Sequence, residues 1–341
     1  LNRIVKIGLA APLTGGLELY GTTAYRAMRM LVLDRNSGGG ILAKFISLEV
    51  RNDDGDAVGA ATYLRDFGVS GVIGHSASVD TEAALPIYAA DDIPVISPSA
   101  TVPSLTDGTY PNFFRAIGSD GLRAAIAADL VVNTLGDTNI AVVHEAGNTY
   151  FSDLLQTAVL NETGTVDQVY PIDFSGDFSA DVTNLGMSTA TAVLFVGSGA
   201  NALAYLEAIR AEPLSVPFIV ASYGKSAALL TATNGADVYV VDTADPEPSS
   251  PAQAVIDEYF DFYGEEPGPF YLNAYAAGEA LLQAFDAAGD TVPAGVITAL
   301  QDTIFATVMG DLDFDTFGDV SGGMTDFGIY TINAGAYDLM P

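Results

Sequence analysis

Short apolar runs alternate with longer stretches of helical pattern along most of this chain. The runs include "RIVKIGLAAPL", "FISLEV", "VSGVIG" and "IPVIS", each of which opens into a polar or glycine-containing loop. Between them lie segments such as "YRAMRMLVLDRN", "AVGAATYLRDF" and "TEAALPIYAADD", which have the length and composition of helices. Repeated strand–loop–helix units predict parallel sheets that are covered by helices.

A second series of the same units begins after "FFRAIGSD". In it, "NIAVVHEAGNTY" precedes the helical "FSDLLQTAVLNE", "TAVLFVGSGAN" precedes "ALAYLEAIRA", and "PFIVASYGK" precedes "SAALLTAT". A break rich in Pro and Ser then leads to the long helical stretch "YLNAYAAGEALLQAFDAAG" and to two strand-like pieces around a glycine turn. The pattern predicts an α/β protein with two Rossmann-like lobes on parallel central sheets, because 341 residues are long for one core.

The charge of the chain narrows the choice of partners. It has 43 acidic and 12 basic residues, which gives a formal net charge of −31. Nucleic acids and anionic membranes are bound through clustered Lys and Arg, so we expect neither. The acidic surface fits a saline or acidic habitat, and it fits equally well a role in solubility alone. No apolar run approaches the roughly 20 residues of a membrane span, and we expect any signal or anchor segment to have been removed.

The sequence offers little catalytic chemistry. There is no cysteine, His75 and His144 are the only histidines, and no nucleophile elbow, zinc-protease motif or P-loop occurs. The segment "VGSGANA" has the spacing of a dinucleotide loop, but the next strand ends without the acidic residue that would bind a ribose. The segment "DLDFDTFGD" departs from a calcium loop at its sixth and twelfth positions, so we expect a hairpin. We therefore expect no enzyme, no cofactor and no metal.

Two successive loops carry the strongest indication of a binding site. The segments "GHSAS" (74–78) and "SPSAT" (97–101) each follow an apolar strand and precede a predicted helix. Hydroxyls and backbone N–H groups at a helix N-terminus can hold a carboxylate. Helix capping alone would explain either loop, but two in succession favour a ligand site. Ligands of open α/β sheets bind beyond the carboxyl ends of the strands, which is where Ser99, Ala100 and Thr101 lie.

Four aromatic residues stand at loop positions that could flank such a site. Tyr20 follows the first strand between glycines, Tyr150 lies at a strand–helix junction, Tyr223 follows "PFIVAS", and Phe270 precedes the long helical stretch. Each alone is compatible with an ordinary core position. Together they could form the walls of a small-molecule pocket.

The order of these motifs resembles that of the periplasmic binding proteins of fold type I, in the Leu/Ile/Val-binding branch that serves ABC transporters. The resemblance is specific in the first third of the chain and looser after residue 180. The pieces that carry it are "KIGLAAPLTGGLELYG", "VRNDDGD", "GVIGHSASVDTEAALPIYAADDIPVISPSATVPSLT", "YPNFFRAIGSD", "IAVVHEAGNTYFSDL", "NAYAAGEAL" and "GDLDFDTFGD".

The resemblance implies two lobes that are joined by three crossovers and close on a ligand like a flytrap. The crossovers would lie near residues 118–121, 243–248 and 323–328. Lobe 1 would comprise residues 1–119 and 248–325, and lobe 2 residues 120–247 and 326–341. The implied protein is a periplasmic or extracellular solute receptor. A removed N-terminal segment could have provided a lipid anchor. It would act as a monomer and deliver its ligand to an ABC permease in the membrane.

The resemblance also assigns roles to individual residues. Ser78 would bind the ligand carboxylate, Ala100 and Thr101 would contact carboxylate and ammonium, and Ser99 is the neighbouring backbone position. A further set would complete the pocket: Tyr20 and Tyr150 as aromatic walls, Phe270 beside the ligand side chain, and Asp120 as an acid for an ammonium group.

Two departures from the family leave the ligand open. Branched-chain members carry a tyrosine in the "GSGAN" loop, where this chain has Ser198 or Gly199, and a glutamate for the ammonium in the "VASYG" loop, where it has Ser222 or Tyr223. A missing acid removes a charge-assisted hydrogen bond. We expect a carboxylate-bearing ligand, namely an amino acid of the branched-chain or aliphatic type held through Asp120. The alternative is a compound without ammonium, such as an aromatic acid, urea or a short amide. A sensory module of the same fold and a carboxylate-dependent α/β enzyme are the remaining alternatives.

Overall fold

The structure is a computed structural model, and it describes residues 4–212, 214–222, 225–231, 237–244, 250–322 and 327–340. The chain forms two compact units. Unit 1 contains Leu1–Ser119 and Pro246–Thr325, and unit 2 contains Asp120–Asp245 and Asp326–Pro341. Both units are α/β and each has its own parallel central sheet, as the alternating pattern predicts.

The elements alternate regularly over the first two thirds of the chain. In order they are β1 (Ile4–Ala11), α1 (Glu18–Ser37), β2 (Phe45–Asn52), α2 (Ala57–Phe67), β3 (Val72–Ile73), α3 (Ser78–Ala89), β4 (Val95–Ser97), β5 (Phe113–Arg115), α4 (Asp120–Asp129), β6 (Asn139–Glu145), α5 (Thr149–Asn161), β7 (Thr165–Ile172), α6 (Ser179–Met187), β8 (Ala192–Val196), α7 (Gly199–Ala211), β9 (Phe218–Val220) and β10 (Val238–Thr243). The remaining elements are α8 (Pro251–Tyr263), α9 (Tyr271–Ala288), α10 (Pro293–Asp302), β11 (Phe305–Thr307), β12 (Gly310–Phe314), β13 (Val320–Gly322), β14 (Phe327–Asn333) and β15 (Ala336–Leu339).

The sheet of unit 1 is parallel throughout, in the order β2-β1-β3-β4-β5. Its register aligns Leu9 with Ile73, Ile73 with Ile96, and Ile96 with Phe114, all of them fully buried. One face packs against α1, α9 and α10, and the other against α2 and α3. Burial on both faces explains why these strands are continuous apolar runs. Because β3 and β4 are parallel neighbours, the 74–78 and 97–101 loops that follow them lie at the same end of the sheet, beyond the carboxyl ends of the strands.

The sheet of unit 2 has the order β15-β14-β10-β9-β8-β6-β7. The strands from β10 to β7 are parallel, whereas β14 pairs antiparallel with β10 and β15 antiparallel with β14. Helices α6 and α7 cover one face, and α4 and α5 cover the other. The C-terminal strands are thus a hairpin added to the edge of a parallel sheet.

Four sequence-based expectations can be checked locally. The hairpin expected around residues 311–319 is confirmed, since β12 pairs antiparallel with β13. Tyr20 was expected in a loop but lies in the first turn of α1. No α-helix follows the 97–101 loop, because only the short 3-10 turn Pro103–Thr106 precedes β5. The helix expected over "SAALLTAT" is wrong too, since the described part contains only the 3-10 turn Leu229–Thr231.

The start of α1 is fixed by a close backbone approach. An added Cβ on Gly21 would lie 1.9 Å from the carbonyl oxygen of Pro12, so only glycine lets α1 pack against the loop that leaves β1.

Among the described residues, no helix combines the length and the apolar character that a bilayer crossing requires.

Candidate functional site

The loops at 74–78 and 97–101 are joined in unit 1 through the hydroxyl of Ser78. Ser78 is the first residue of α3, and its Oγ accepts hydrogen bonds from the backbone N–H of Thr101 at 3.1 Å and of Val102 at 3.3 Å. Ser78 is only partly buried. Because both contacts use Oγ as an acceptor, neither of them uses the hydroxyl proton.

Ser97 and Ser99 make further connections between the same loops. The Oγ of Ser97 donates to the carbonyl of His75 at 2.7 Å and accepts from the N–H of Ala100 at 3.0 Å and of Ser99 at 3.3 Å. The hydroxyl of Ser99 donates to the carbonyl of Ser76 at 2.8 Å. The sequence reasoning expected bare backbone N–H groups at a helix end. The structure instead directs the amides of residues 99–102 to serine hydroxyls, with no α-helix behind them.

A buried polar group lies under the 74–78 loop. His75 Nδ1 is 2.7 Å from Asp53 Oδ2, and Nε2 is 3.2 Å from the hydroxyl of Tyr88, with all three residues buried. Burial and the nearby Asp53 carboxylate raise the pKa of Tyr88, so the phenol stays protonated and can donate. Burial and repulsion from Asp53 also raise the pKa of Asp80 in the first turn of α3. The group fixes His75, whose carbonyl in turn orients Ser97.

Arg115, at the end of β5, supports the 97–101 loop from inside the unit. Its side chain is fully buried, and Nη1 donates to the carbonyls of Ala100 and Val102, both at 3.0 Å. Its Nε lies 2.6 Å from Oδ1 of Asp319, which belongs to the β12–β13 hairpin. The hydroxyl of Thr106 donates to the other oxygen of Asp319 at 2.9 Å. Sequence reasoning missed Arg115 and Asp319. An arginine directly after two phenylalanines of a strand can indicate a buried charge, and Arg115 is one.

Two of the predicted aromatic residues meet in unit 1. The rings of Tyr20 and Phe270 stack with centroids 5.6 Å apart and an interplanar angle of 27°. Phe270 caps α9 in the left-handed conformation, with φ of 60°. An added Cβ on the nearby Gly268 would meet Oγ1 of Thr23, so a larger residue where this segment passes α1 would require the Thr23 side chain to shift.

In unit 2, the carboxyl ends of β6, β8 and β9 carry a second polar group. Glu145 Oε1 accepts from the N–H of Ser198 at 2.8 Å and from the amide of Asn201 at 2.7 Å. The Ser222 hydroxyl accepts from the N–H of Gly197 at 2.9 Å and donates to its carbonyl at 2.7 Å. Ser198 caps α7, with the buried Gly199 as the first residue of that helix. Glu145 and Asn201 were not predicted, and they tie β6 to the start of α7.

The other predicted residues of unit 2 lie near helix starts. Tyr150 is in the first turn of α5 and is 45% exposed. Tyr223 lies outside the described residues. Asp120 is the first residue of α4 and is buried, and its Oδ1 accepts from Arg123 Nη2 at 2.6 Å. The guanidinium of Arg123 also lies 4.5 Å from the ring centroid of Phe151. The carboxylate proposed for an ammonium group therefore already faces a cation on its own helix.

The part of the chain that the structure describes holds no group of three or more His, Cys, Asp or Glu side chains placed to bind a metal ion. Its polar loops instead present hydroxyls and ordered amides at the strand ends of two parallel sheets. Two α/β units with polar loops at the carboxyl ends of parallel strands match the architecture of the α/β solute-binding proteins. The chain matches the periplasmic binding protein family over residues 4–336 and belongs to that family. The resemblance recognised from the sequence motifs is confirmed.

Individual relatives cover almost the whole chain. A Leu/Ile/Val-binding protein homolog 1 of Brucella abortus is 31% identical over 324 residues, which span 92% of this chain and 87% of that protein. An amino acid binding protein of Pseudomonas aeruginosa is 32% identical over 352 residues, spanning 99% and 92%. A crystal structure of the branched-chain amino acid transporter substrate-binding protein LivJ from Streptococcus pneumoniae, in complex with isoleucine, has a TM-score of 0.77 at 22% identity. It covers 98% of this chain and 99% of that one.

Proposed function

We propose that the protein is an extracytoplasmic solute receptor of an ABC transporter and that it binds an amino acid of the aliphatic, branched-chain kind. The observation that carries the proposal is the pair of hydroxyl-bearing loops in unit 1, joined by Ser78. Family membership and relatives named for Leu, Ile and Val binding support the ligand class.

Unit 1 supplies the groups for a carboxylate. The Ser78 hydroxyl, held as an acceptor by two backbone amides, donates its proton to a carboxylate oxygen. Ser99, Ala100 and Thr101 shape the loop beside it. The stacked rings of Tyr20 and Phe270 offer an apolar wall for an aliphatic side chain.

The proposal includes binding without turnover. Asp53 and His75 resemble part of a catalytic group, but both are fully buried and His75 is already placed between Asp53 and Tyr88. We propose further that the protein is a monomer, that a lipid anchors it outside the cytoplasm, and that its partner is a membrane permease.

A ligand without an ammonium group is the second candidate, and one contact favours it. Asp120 is paired with Arg123 at 2.6 Å, which leaves this carboxylate with less unbalanced charge for a ligand ammonium. An aromatic acid, urea or a short amide would not need that charge.

The test is a thermal-shift screen followed by calorimetry of the compounds that stabilise the protein. The set contains L-leucine, L-isoleucine, L-valine, 4-methylpentanoate, benzoate, urea and acetamide. A ligand at about 1,000 times its Kd adds about 4 kcal/mol to stability, which is an easily measured shift. A shift with leucine and none with 4-methylpentanoate, its des-amino analogue, supports the amino acid. A shift with 4-methylpentanoate and none with leucine supports the ligand without ammonium. If no carboxylate-bearing compound gives a shift, the carboxylate site is contradicted for both candidates.

The site itself is tested by Ser78→Ala, which should weaken binding of the stabilising carboxylate by about 1–3 kcal/mol through a lost hydrogen bond to a charged group. Thr101→Ala should act in the same direction. Ser104→Ala is the matched control, since Ser104 is exposed in the adjoining 3-10 turn. Unchanged affinity in both site variants would remove the site assignment.

A further inference from the structure

The 97–101 loop lacks the helix N-terminus that would favour an anion, yet a positive charge lies directly behind it. Arg115 is fully buried, and its Nη1 donates to the carbonyls of Ala100 and Val102. Its Nε faces Asp319. The ion pair is therefore oriented, with the guanidinium end against the loop and the carboxylate end against the β12–β13 hairpin.

The peptide bond between Ala100 and Thr101 connects this charge to the surface. In a planar trans peptide, the carbonyl and the following N–H point in opposite directions. Here the carbonyl of Ala100 accepts from Arg115, and the N–H of Thr101 donates to Ser78 Oγ at 3.1 Å on the other side. The hydroxyl of Ser78 is thus the last protein group in a chain of hydrogen bonds that starts at the guanidinium.

Hydrogen bonds in such a chain polarise one another in the same direction. The guanidinium draws electron density from the Ala100 carbonyl, which makes the Thr101 N–H a stronger donor. That N–H in turn makes the Ser78 hydroxyl a stronger donor toward an anion. The same hydrogen bonds tie the 97–101 loop to Ser78 on one side and to Arg115 on the other.

We propose that Arg115 is a positioning residue that gives the site its preference for a carboxylate, acting through the 100–101 peptide and Ser78 without touching the ligand. The inference rests on the proposed function, because it takes unit 1 as the carboxylate-binding part. Asp319 moderates the effect, since it balances the guanidinium from the far side.

The test compares L-leucine, a zwitterion, with L-leucinamide, a cation in which an amide replaces the carboxylate, by calorimetry at one pH and 0.15 M salt. The quantity of interest is the ratio of the two affinities. In Arg115→Gln we expect this preference for the carboxylate to fall about tenfold, as loss of a nearby buried charge implies. In Arg115→Lys the charge is kept while the paired donation to two carbonyls is lost, so the ratio should stay within about threefold of the wild-type value.

Asp319→Asn is the opposite perturbation, because it leaves Arg115 in place and removes its counter-charge. The ratio should rise in this variant, and this arm remains decisive if Arg115→Gln does not fold. Arg65→Gln is the matched control for the loss of one positive charge, since Arg65 lies on α2 beside Asp66 and Asp91. It should leave the ratio unchanged.

The outcomes separate this inference from the proposed function. A wild-type protein that binds both compounds equally contradicts the carboxylate site itself, and one that binds neither contradicts the proposed amino acid ligand. A clear wild-type preference that is unchanged in both Arg115→Gln and Asp319→Asn overturns the role of Arg115. A preference that falls equally in the Gln and Lys variants shows that Arg115 only shapes the loop, which also overturns the proposal.

Discussion

Replacing Glu279 with glutamine should stabilise the protein at neutral and alkaline pH and leave it unchanged in acid. Glu279 lies on α9 in unit 1, and its Oε2 accepts from the N–H of Val308 at 2.8 Å. Burial raises the pKa of this carboxyl to about 7, from an ordinary value of 4.5. The Val308 hydrogen bond and Arg35 lower the pKa, and Asp34 raises it, so burial is the dominant cause.

The sign of the effect follows from where the proton is bound. Between pH 4.5 and about 7 the folded protein keeps the Glu279 proton while the unfolded chain loses it, so stability falls as the pH rises through this range. Above about pH 7 the charged carboxylate is buried and the penalty is complete. One pKa unit corresponds to about 1.4 kcal/mol, so the shift from 4.5 to about 7 sets an upper bound of about 3.4 kcal/mol. Because some water reaches this side chain, we expect about 1–3 kcal/mol.

Glutamine keeps the acceptor oxygen for Val308 and removes the charge. The assay is urea unfolding of the wild type and of Glu279→Gln at several pH values from 4 to 8.5, with the difference in unfolding free energy plotted against pH. Taking the difference cancels the pH dependence that the other carboxylates contribute. Glu266→Gln, at an exposed position of the same unit, controls for the loss of one negative charge.

The expected curve is flat near zero at pH 4, rises through pH 5–7 and is flat again at pH 8. A difference that does not vary with pH would show that Glu279 is not protonated in the folded protein at neutral pH. A variant that is less stable at pH 8 would show that the carboxylate is stabilising there, and the reasoning from burial would be refuted.

Three more predictions concern the buried Asp53–His75 pair, the packing of α1 against the loop after β1, and the net charge of the protein. Asp53→Asn should lower the unfolding free energy by about 1–3 kcal/mol in urea titrations, because His75 loses a charged partner inside the unit; an unchanged midpoint would contradict it. Gly21→Ala should lower the Tm, since its Cβ would lie 1.9 Å from the Pro12 carbonyl oxygen, whereas Gly16→Ala meets no atom within 4 Å and should be neutral. Equal effects of the two variants would argue against the close approach. Raising the salt from 0.01 to 0.15 M should weaken binding of the cation L-leucinamide, which the net charge of −31 attracts, and leave zwitterionic leucine almost unchanged; equal salt effects on both would count against long-range attraction.

The alternation of apolar runs was sufficient to predict the fold, because strands buried on both faces have a distinct composition. The stretch "YLNAYAAGEALLQAFDAAG" was predicted as helical and is α9, which ends where Gly289 takes the left-handed conformation. The error after Thr101 has an equally local cause. Only eleven residues separate Thr101 from β5, and Pro103 begins a single 3-10 turn rather than an α-helix.

The candidate site was predictable where its contacts are local and unpredictable where they are distant. The pairing of Asp120 with Arg123 could have been inferred from their i, i+3 spacing at a helix start. The contact of Arg115 with Asp319 joins positions more than 200 residues apart, and no local pattern indicates it. Nor does a pattern show that Ser97 binds backbone amides and Ser99 a backbone carbonyl rather than a ligand.

The arrangement behind Ser78 has a consequence for a protein that must release what it binds. A guanidinium in direct contact with a carboxylate forms a strong, often bidentate ion pair that has to be broken on release. Here the guanidinium binds backbone carbonyls instead, and the surface of the loop offers a neutral hydroxyl. A neutral donor polarised from behind can favour a carboxylate over an uncharged group while keeping the bond to the ligand weaker than an ion pair. In the proposed site, selectivity for charge would be set inside unit 1, and the strength of the ligand contact would be set separately at Ser78.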